Sequence, residues 1–433
     1  MAKYKLGFIF LGIIILTMAA TGLLISIFEH QQESRLTYLK IVDIDPDEPD
    51  PVIWKQNFPQ QYDDYMKTMR TSELSQYSKY GRYGGSESYD KLDKHPNFKR
   101  MFAGYAFSVE YREEQGHMRA LEDVQKIKRL GKDKPGTCIT CKTSDLPKLF
   151  KEIGPQKVYA TNMYELIKQY KITHPISCAD CHDGKTMELR VTRPAFIEAM
   201  AKRGIDVTKA SHQDLRTYVC GQCHVEYYFK GPGKYLTFPW EKGLSIDSIE
   251  SYYDEIGFKD WVHAESQSSM IKMQHPEFEI WSSGIHSRSG VTCSDCHMPY
   301  KRMGAVKYSD HWIRTPLENI SNACLPCHRQ SEEEMKERVL EIQDKTYNLM
   351  SRAEKANIAA IDAIKAAQAS GTSELDLVEA RNLFRRSSMR WDFVNAENSM
   401  GFHSPQETSR ILGDSIDYAR QSQISAMKAQ KKK

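Results

Sequence analysis

All ten cysteines of this 433-residue chain fall in C-x-x-C pairs, with none left over. Four pairs run directly into histidine: Cys178/Cys181/His182, Cys220/Cys223/His224, Cys293/Cys296/His297 and Cys324/Cys327/His328. The fifth, Cys138-Ile139-Thr140-Cys141, runs into Lys142 instead. Two thiols three residues apart with an imidazole beside the second suit covalent attachment of a c-type haem. The thiols add across its two vinyl groups, and the adjacent histidine ligates iron from the same side. Zinc is the competing reading, but five pairs make an odd set that cannot all close as four-thiolate tetrahedra. A disulfide scaffold belongs to far smaller secreted chains.

Five haems also explain the composition. Mean hydropathy is −0.59 and 40% of residues are hydrophobic, lean for a large core. Haem supplies apolar volume that side chains do not. Length alone suggests several domains, yet attachment sites spread from 138 to 328 argue for one body around a chain of cofactors. The expected fold class is mainly α, with a haem-packed core, little β and long C-terminal helices. The net charge of +3, from 60 basic and 57 acidic residues, gives no reason to expect a nucleic-acid partner.

Lys3 and Lys5 precede an uncharged apolar run from Leu6 to Phe28, followed by Glu29 and the polar stretch to Arg35. A bilayer needs about 20 such residues, and the lysines predict a cytoplasmic N-terminus with the remainder exported. Thr17-Met18-Ala19-Ala20 offers only a weak cleavage site inside the run. The expectation is an uncleaved anchor over 1–35, holding the haems at the extracytoplasmic face of the cytoplasmic membrane. Secretion after signal cleavage is the alternative. An acidic, Pro-rich linker covers 36–53, because the prolines between Asp43 and Pro51 cannot sustain a helix. The pentahaem region is expected over 54–328, turn-rich from 131, with short helices around 60–80 and 117–130. The long-helix region covers 329–433, with helices over 330–369 and 374–398 broken at Gly371-Thr372, and another from about 405 to 430. In the first of these, Met335, Val339, Ile342, Leu349, Met350 and Ala353 form an apolar face, suited to covering the haem core or to pairing with a second copy.

Five haems have ten axial positions. The motifs fill five, four with histidine and one with Lys142. Four more histidines would complete bis-histidine ligation and leave one iron open. Ten lie outside the motifs, at 30, 95, 117, 174, 212, 263, 275, 286, 311 and 403. Composition does not choose among them.

In these features the chain resembles the pentahaem ammonia-forming cytochrome c nitrite reductases. The resemblance runs from about residue 50 to the C-terminal helices. It rests on the C-x-x-C-K site, the four C-x-x-C-H sites after it, Glu226-Tyr227, Lys272-Met273-Gln274-His275, His286 and Gly401-Phe402-His403-Ser404-Pro405. It implies Lys142 as proximal ligand of the catalytic haem. It also implies His311 on the second haem, His117 on the third, His403 on the fourth and His286 on the fifth. Gln115 stands where the family usually has arginine, a local packing difference. Histidines 30, 95, 174, 212 and 263 then carry no assigned role.

The same resemblance implies a distal pocket of Arg129, Tyr227 and His275. A nitrite anion beside iron needs a cation to offset its desolvation and donors for its oxygens, and histidine and tyrosine suit proton delivery as N–O bonds break. The competing reading of Arg129 is a solvated helix residue, since Lys126, Lys128 and Lys132 crowd the stretch. Glu226, Tyr227, Lys272 and Gln274 resemble the family's calcium site, whose oxygen-only ligation suits a hard cation. The implied activity is six-electron reduction of nitrite to ammonium, with five covalently bound haem c and calcium as cofactors. The implied partners are a membrane quinol dehydrogenase cytochrome as donor and a second copy in a homodimer. Two alternatives stay open: an electron-transfer cytochrome, against which Lys142 argues, and reduction of sulfite or hydroxylamine at the same haem.

Overall fold

The computed structural model describes residues 2–33, 40–69, 89–112, 115–304 and 306–431. It is mainly helical. Its strands form two-residue to four-residue antiparallel hairpins: Tyr228–Lys230 with Tyr235–Thr237, Trp261–Val262 with Ser269–Met270, and Tyr300–Met303 with Val306–Ser309. Between residues 89 and 330 the described chain runs as a series of brief elements joined by turns.

The short elements before the first motif differ from expectation at one end. The segment expected as a helix over 117–130 is a 3₁₀ turn, His117–Arg119, followed by the helix Ala120–Lys126. It stops there because the buried Lys134 ammonium donates to the carbonyls of Val124 (3.0 Å) and Ile127 (2.8 Å), capping the last turn. Of the helix expected around 60–80, Pro59–Met66 and a 3₁₀ turn to Met69 are seen, and 70–88 lie outside the described residues. The acidic stretch from Asp43 makes a turn at Pro46-Asp47, closed by Glu48 N on Asp45 O at 3.1 Å, before Asp50 caps the helix Pro51–Lys55, accepting from Val52 N at 2.8 Å. It packs on the body: Arg190 donates to Asp47 (2.8 Å), and Ser144 and Ser177 both donate to the Pro49 carbonyl.

The C-terminal region consists of the helices Glu332–Ala369, Val378–Asn395 and Pro405–Lys431. The first opens on a capping box, in which Ser331 Oγ accepts from Glu334 N and the Glu334 carboxylate accepts from Ser331 N at 2.8 Å. It closes on Gly371 at φ +79°, with Gly371 N donating to Gln368 O and Thr372 N to Ala367 O. The second bond needs the left-handed residue, which glycine adopts without strain. Met335, Val339, Ile342, Met350 and Ala353 are buried, and Leu349 is half-buried against the main core. A buried polar knot joins the three helices: Ser387 Oγ donates to Asn357 Oδ1 (2.8 Å) and Ser415 Oγ to the Ser387 carbonyl (2.9 Å). Their apolar faces close over a core that includes Phe98, Phe102, Tyr253, Met273 and Trp391. A second core, including Ile139, Phe150, Tyr159 and Trp240, surrounds the first cysteine pair.

Near the N-terminus, the helix Ala2–Glu33 contains the apolar stretch Phe10–Phe28, with mean hydropathy 2.4 and no burial against the body. Nineteen helical residues rise about 28 Å, close to the thickness of a bilayer's hydrocarbon core. Length and composition suit a membrane span or a signal sequence equally.

Candidate active site

Eight histidine rings face each other in four pairs. Ring centroids are 6.3 Å apart for His182 and His311, 6.4 Å for His117 and His224, 6.3 Å for His297 and His403, and 6.2 Å for His286 and His328. A metal to imidazole nitrogen bond is about 2 Å. With the ring centre about 1.1 Å behind its nitrogen, two imidazoles on opposite sides of one ion stand about 6.3 Å apart. Each pair joins a motif histidine to one of the four distal candidates.

The second ring nitrogen explains the orientation. Nδ1 of His182 lies 3.0 Å from Met187 O, that of His297 3.0 Å from Arg314 O, and that of His311 2.8 Å from Ser309 O. A carbonyl only accepts, so the proton sits on Nδ1 and Nε2 keeps its lone pair for a metal. His403 Nδ1 lies 2.6 Å from the Glu397 carboxylate, at ion-pair distance. Burial pushes the imidazoles of His117, His182 and His297 down to about 4, holding them neutral. Glycines allow the close approach: a Cβ on Gly116 would meet Thr68 O at 2.3 Å, and one on Gly284 would meet His403 O at 2.1 Å. The ring pairs, the free lone pairs and the adjacent thiols fit haem c.

The cysteine pairs lie against one another. Cys141 is within hydrogen-bonding reach of Cys223, and Cys220 of Cys293. Cys181 interacts with Cys220, and Cys296 with Cys324. These interactions link the five cysteine motifs in a series, in which the first and second both meet the third and the fourth and fifth follow.

The motif cysteines differ in depth. Nine of the ten are half-buried, and Cys327 is exposed. The reason is its place at the end of the series. Its partner Cys324 packs against the small cluster of Leu317, Ile320, Met335 and Val339 under the start of the first long helix. Cys327 lies one turn on, its N–H donating to Cys324 O at 3.1 Å, among exposed Pro326, Arg329 and Gln330. No further site follows to cover that side. His328 beside it still faces His286, so the pair keeps the geometry of haem attachment while standing at the protein surface.

Lys142 is half-buried, and among the described residues the four facing imidazole pairs all belong to the other motifs. Histidines without an assigned role sit elsewhere: His95 stacks on Phe98, His174 Nδ1 meets Asp145 at 2.9 Å, and His263 Nε2 donates to Arg100 O at 2.7 Å. His212 is exposed at a helix start, and the His30 side chain lies outside the described residues.

Tyr227 and His275 are brought together, with ring centroids 6.3 Å apart. Arg129 is half-buried beyond the end of its helix, with its guanidinium 4.3 Å from the Phe107 ring centroid. Lys272, three residues before His275, places its ammonium 4.9 Å from the same ring. Arg129 and Lys142 both act on the Cys138 thiol, which burial pushes up to about 11. Those contacts gather Arg129, the 272–275 segment and the first cysteine pair in one neighbourhood.

The four residues named for calcium also converge. Gln274 N donates to Glu226 Oε2 at 2.6 Å, and Gln274 Nε2 to the Lys272 carbonyl at 3.1 Å. Glu226 is fully buried, and its carboxyl is pushed well above the usual range by burial. A buried carboxylate without a cation beside it is costly, so this donor set fits a hard ion. Among the described residues no three His, Cys, Asp or Glu cluster as a metal site, so the ion would rest on one carboxylate and neutral oxygens.

Several residues around the site carry no sequence signal. Buried Asp392 accepts from Lys272 Nζ and Met273 N, Glu279 accepts from Glu226 N and Trp240 Nε1, and Glu110 accepts from the backbone of Lys128 and Arg129.

A family model described as cytochrome c552 matches residues 50–433. Cytochrome c-552 of Porphyromonas gingivalis is 40% identical over 408 residues, covering 92% of this chain and 80% of the relative. That of Bacteroides fragilis (strain ATCC 25285) is 42% identical over 383 residues, covering 87% and 76%. The fold is similar to the solved catalytic subunit of cytochrome c nitrite reductase from Desulfovibrio desulfuricans, described with two calcium sites. That match has a TM-score of 0.84 and 34% identity, covering 90% of this chain and 88% of the other.

Proposed function

Because this chain belongs to the cytochrome c552 family, we propose that it is a pentahaem nitrite reductase that takes nitrite to ammonium with six electrons and eight protons. The observation that supports the reading best is the contrast between four facing histidine pairs and a fifth motif that ends in Lys142 without one. When bound, haem c supplies the redox-active iron and the route for electrons. His182 with His311, His224 with His117, His297 with His403 and His328 with His286 would hold four of the haems, and Lys142 would hold the catalytic one.

Arg129 offsets the charge of the anion and donates hydrogen bonds to its oxygens. His275 and Tyr227 donate protons to those oxygens from ring N–H and phenol O–H as the N–O bonds weaken, and water recharges them. Glu226, Gln274 and the carbonyls of Tyr227 and Lys272 would hold calcium, which would supply a fixed point for the loop between Tyr227 and His275. The apolar N-terminal helix anchors the body at the extracytoplasmic face of the membrane, a membrane quinol dehydrogenase cytochrome supplies electrons, and the C-terminal helices pair two copies.

Anaerobic optical titration with nitrite tests the open site. One haem of five should respond, with the four bis-histidine signals unchanged. A protein with five loaded haems and no response would overturn the proposal.

A further inference from the structure

Arg129 is pinned by one short segment. Glu110 accepts from the backbone N–H of Lys128 (2.6 Å) and Arg129 (3.4 Å), which fixes the main chain. The guanidinium head meets the Phe107 ring, 4.3 Å from its centroid. Among the described residues it makes no ion pair, and its buried Nε has no hydrogen-bond partner. Phe107 is itself immobilised, edge-on to Tyr111 at 4.9 Å and stacked on Tyr105 at 5.8 Å.

A carboxylate in this place would orient Arg129 and also cancel the charge that an anion needs. An aromatic face orients a cation through its quadrupole and leaves the net charge intact. We propose that Phe107 is a positioning residue, whose ring holds the Arg129 guanidinium toward the substrate pocket with its charge available to nitrite. The inference rests on the assignment of Arg129 to that pocket.

The test is the nitrite dissociation constant by optical titration, alongside KM and kcat, in Phe107→Leu, Phe107→Tyr and protein carrying ring-fluorinated phenylalanine at 107. Leucine and the fluorinated ring, which keeps the shape but weakens the face, should each raise the dissociation constant and KM roughly 3- to 30-fold. The change in kcat should be smaller, since uniform binding is what is lost. Tyrosine, which keeps the face, should bind as the wild type does. Hydroxylamine, neutral at working pH, should be insensitive to all three. Wild-type nitrite binding in the leucine or fluorinated protein would overturn the inference, as would equal weakening for hydroxylamine. Arg129→Ala separates the two claims: if it abolishes nitrite binding while the Phe107 series does not, only the positioning role fails. If it also binds nitrite normally, the pocket itself is wrong.

Discussion

Arg193 ties the Lys142 site to the second haem motif, and its removal has a cost that follows from its contacts. The side chain is 0% exposed and Asp180, between Cys178 and Cys181, is 3% exposed. Its guanidinium pairs with Asp180 and donates to the carbonyls of Thr140 (2.7 Å) and Thr143 (3.1 Å), which flank Cys141-Lys142. In Arg193→Met the chain keeps its volume and loses the charge. Asp180 Oδ2 still accepts from Ser177 N at 2.8 Å, but the other oxygen is left buried without its cation. Breaking one side of a buried pair costs about 3–5 kcal/mol, a large share of a typical folding free energy of about 5–15 kcal/mol. Urea unfolding of the haem-loaded protein, followed by far-UV circular dichroism, measures it. If the orphaned charge causes the loss, adding Asp180→Asn should recover about 1–3 kcal/mol relative to the sum of the single variants. A loss below about 1 kcal/mol, or strict additivity, would refute the reasoning.

Four further outcomes are expected. Lys142→His should keep five covalent haems but lose most nitrite turnover; wild-type rates in a fully loaded variant would contradict the role of the lysine. His275→Ala should slow turnover about 100–1000-fold with low-spin signals unchanged, as for loss of one transition-state donor, whereas His286→Ala should alter one low-spin signal; the reverse pattern would exchange the two assignments. His263 is held neutral, with Nε2 donating to Arg100 O and Nδ1 accepting from Ser266 N at 3.1 Å, and burial lowers its pKa. Its neutral form therefore favours the fold above the ordinary value of about 6.5, and that stability is lost as pH falls below it; urea midpoints should drop between pH 7.5 and 5.5, less steeply in His263→Asn, and equal slopes would refute this. Finally, the mature protein should fractionate with membranes and retain Met1 or Ala2, and soluble protein beginning near Gln31 would show cleavage instead.

Local chemistry was legible in the sequence and distant contacts were not. The cysteine motifs are complete within five residues, so they can be read without a fold. How deeply each one sits cannot be read that way: Cys327 has the same local pattern as the other motif cysteines and is exposed, because depth depends on what packs against the motif from elsewhere in the chain. The long helices, read as 330–369, 374–398 and 405–430, run as Glu332–Ala369, Val378–Asn395 and Pro405–Lys431, and the ends of the first are set by local signals, the Ser331–Glu334 capping box and Gly371. Spacing alone left ten histidines to choose from, and which ring faces which motif histidine is set by contacts between distant parts of the chain. The supports of the pocket were invisible. Lys272 and Asp392 are 120 residues apart, Phe107 and Arg129 are joined by a ring contact, and Arg193 reaches carbonyls 50 and 53 residues away. The helix expected to run to 130 ends at Lys126 because of a lysine eight residues on, another contact that periodicity does not encode.

The most direct measurement is turnover of nitrite by the purified, haem-loaded protein with a reduced viologen as donor, counting electrons consumed and ammonium formed. The account predicts six electrons per nitrite and ammonium as the nitrogen product, with no intermediate released. Haems that reduce fully while nitrite persists and no ammonium forms would contradict it and leave an electron carrier in its place.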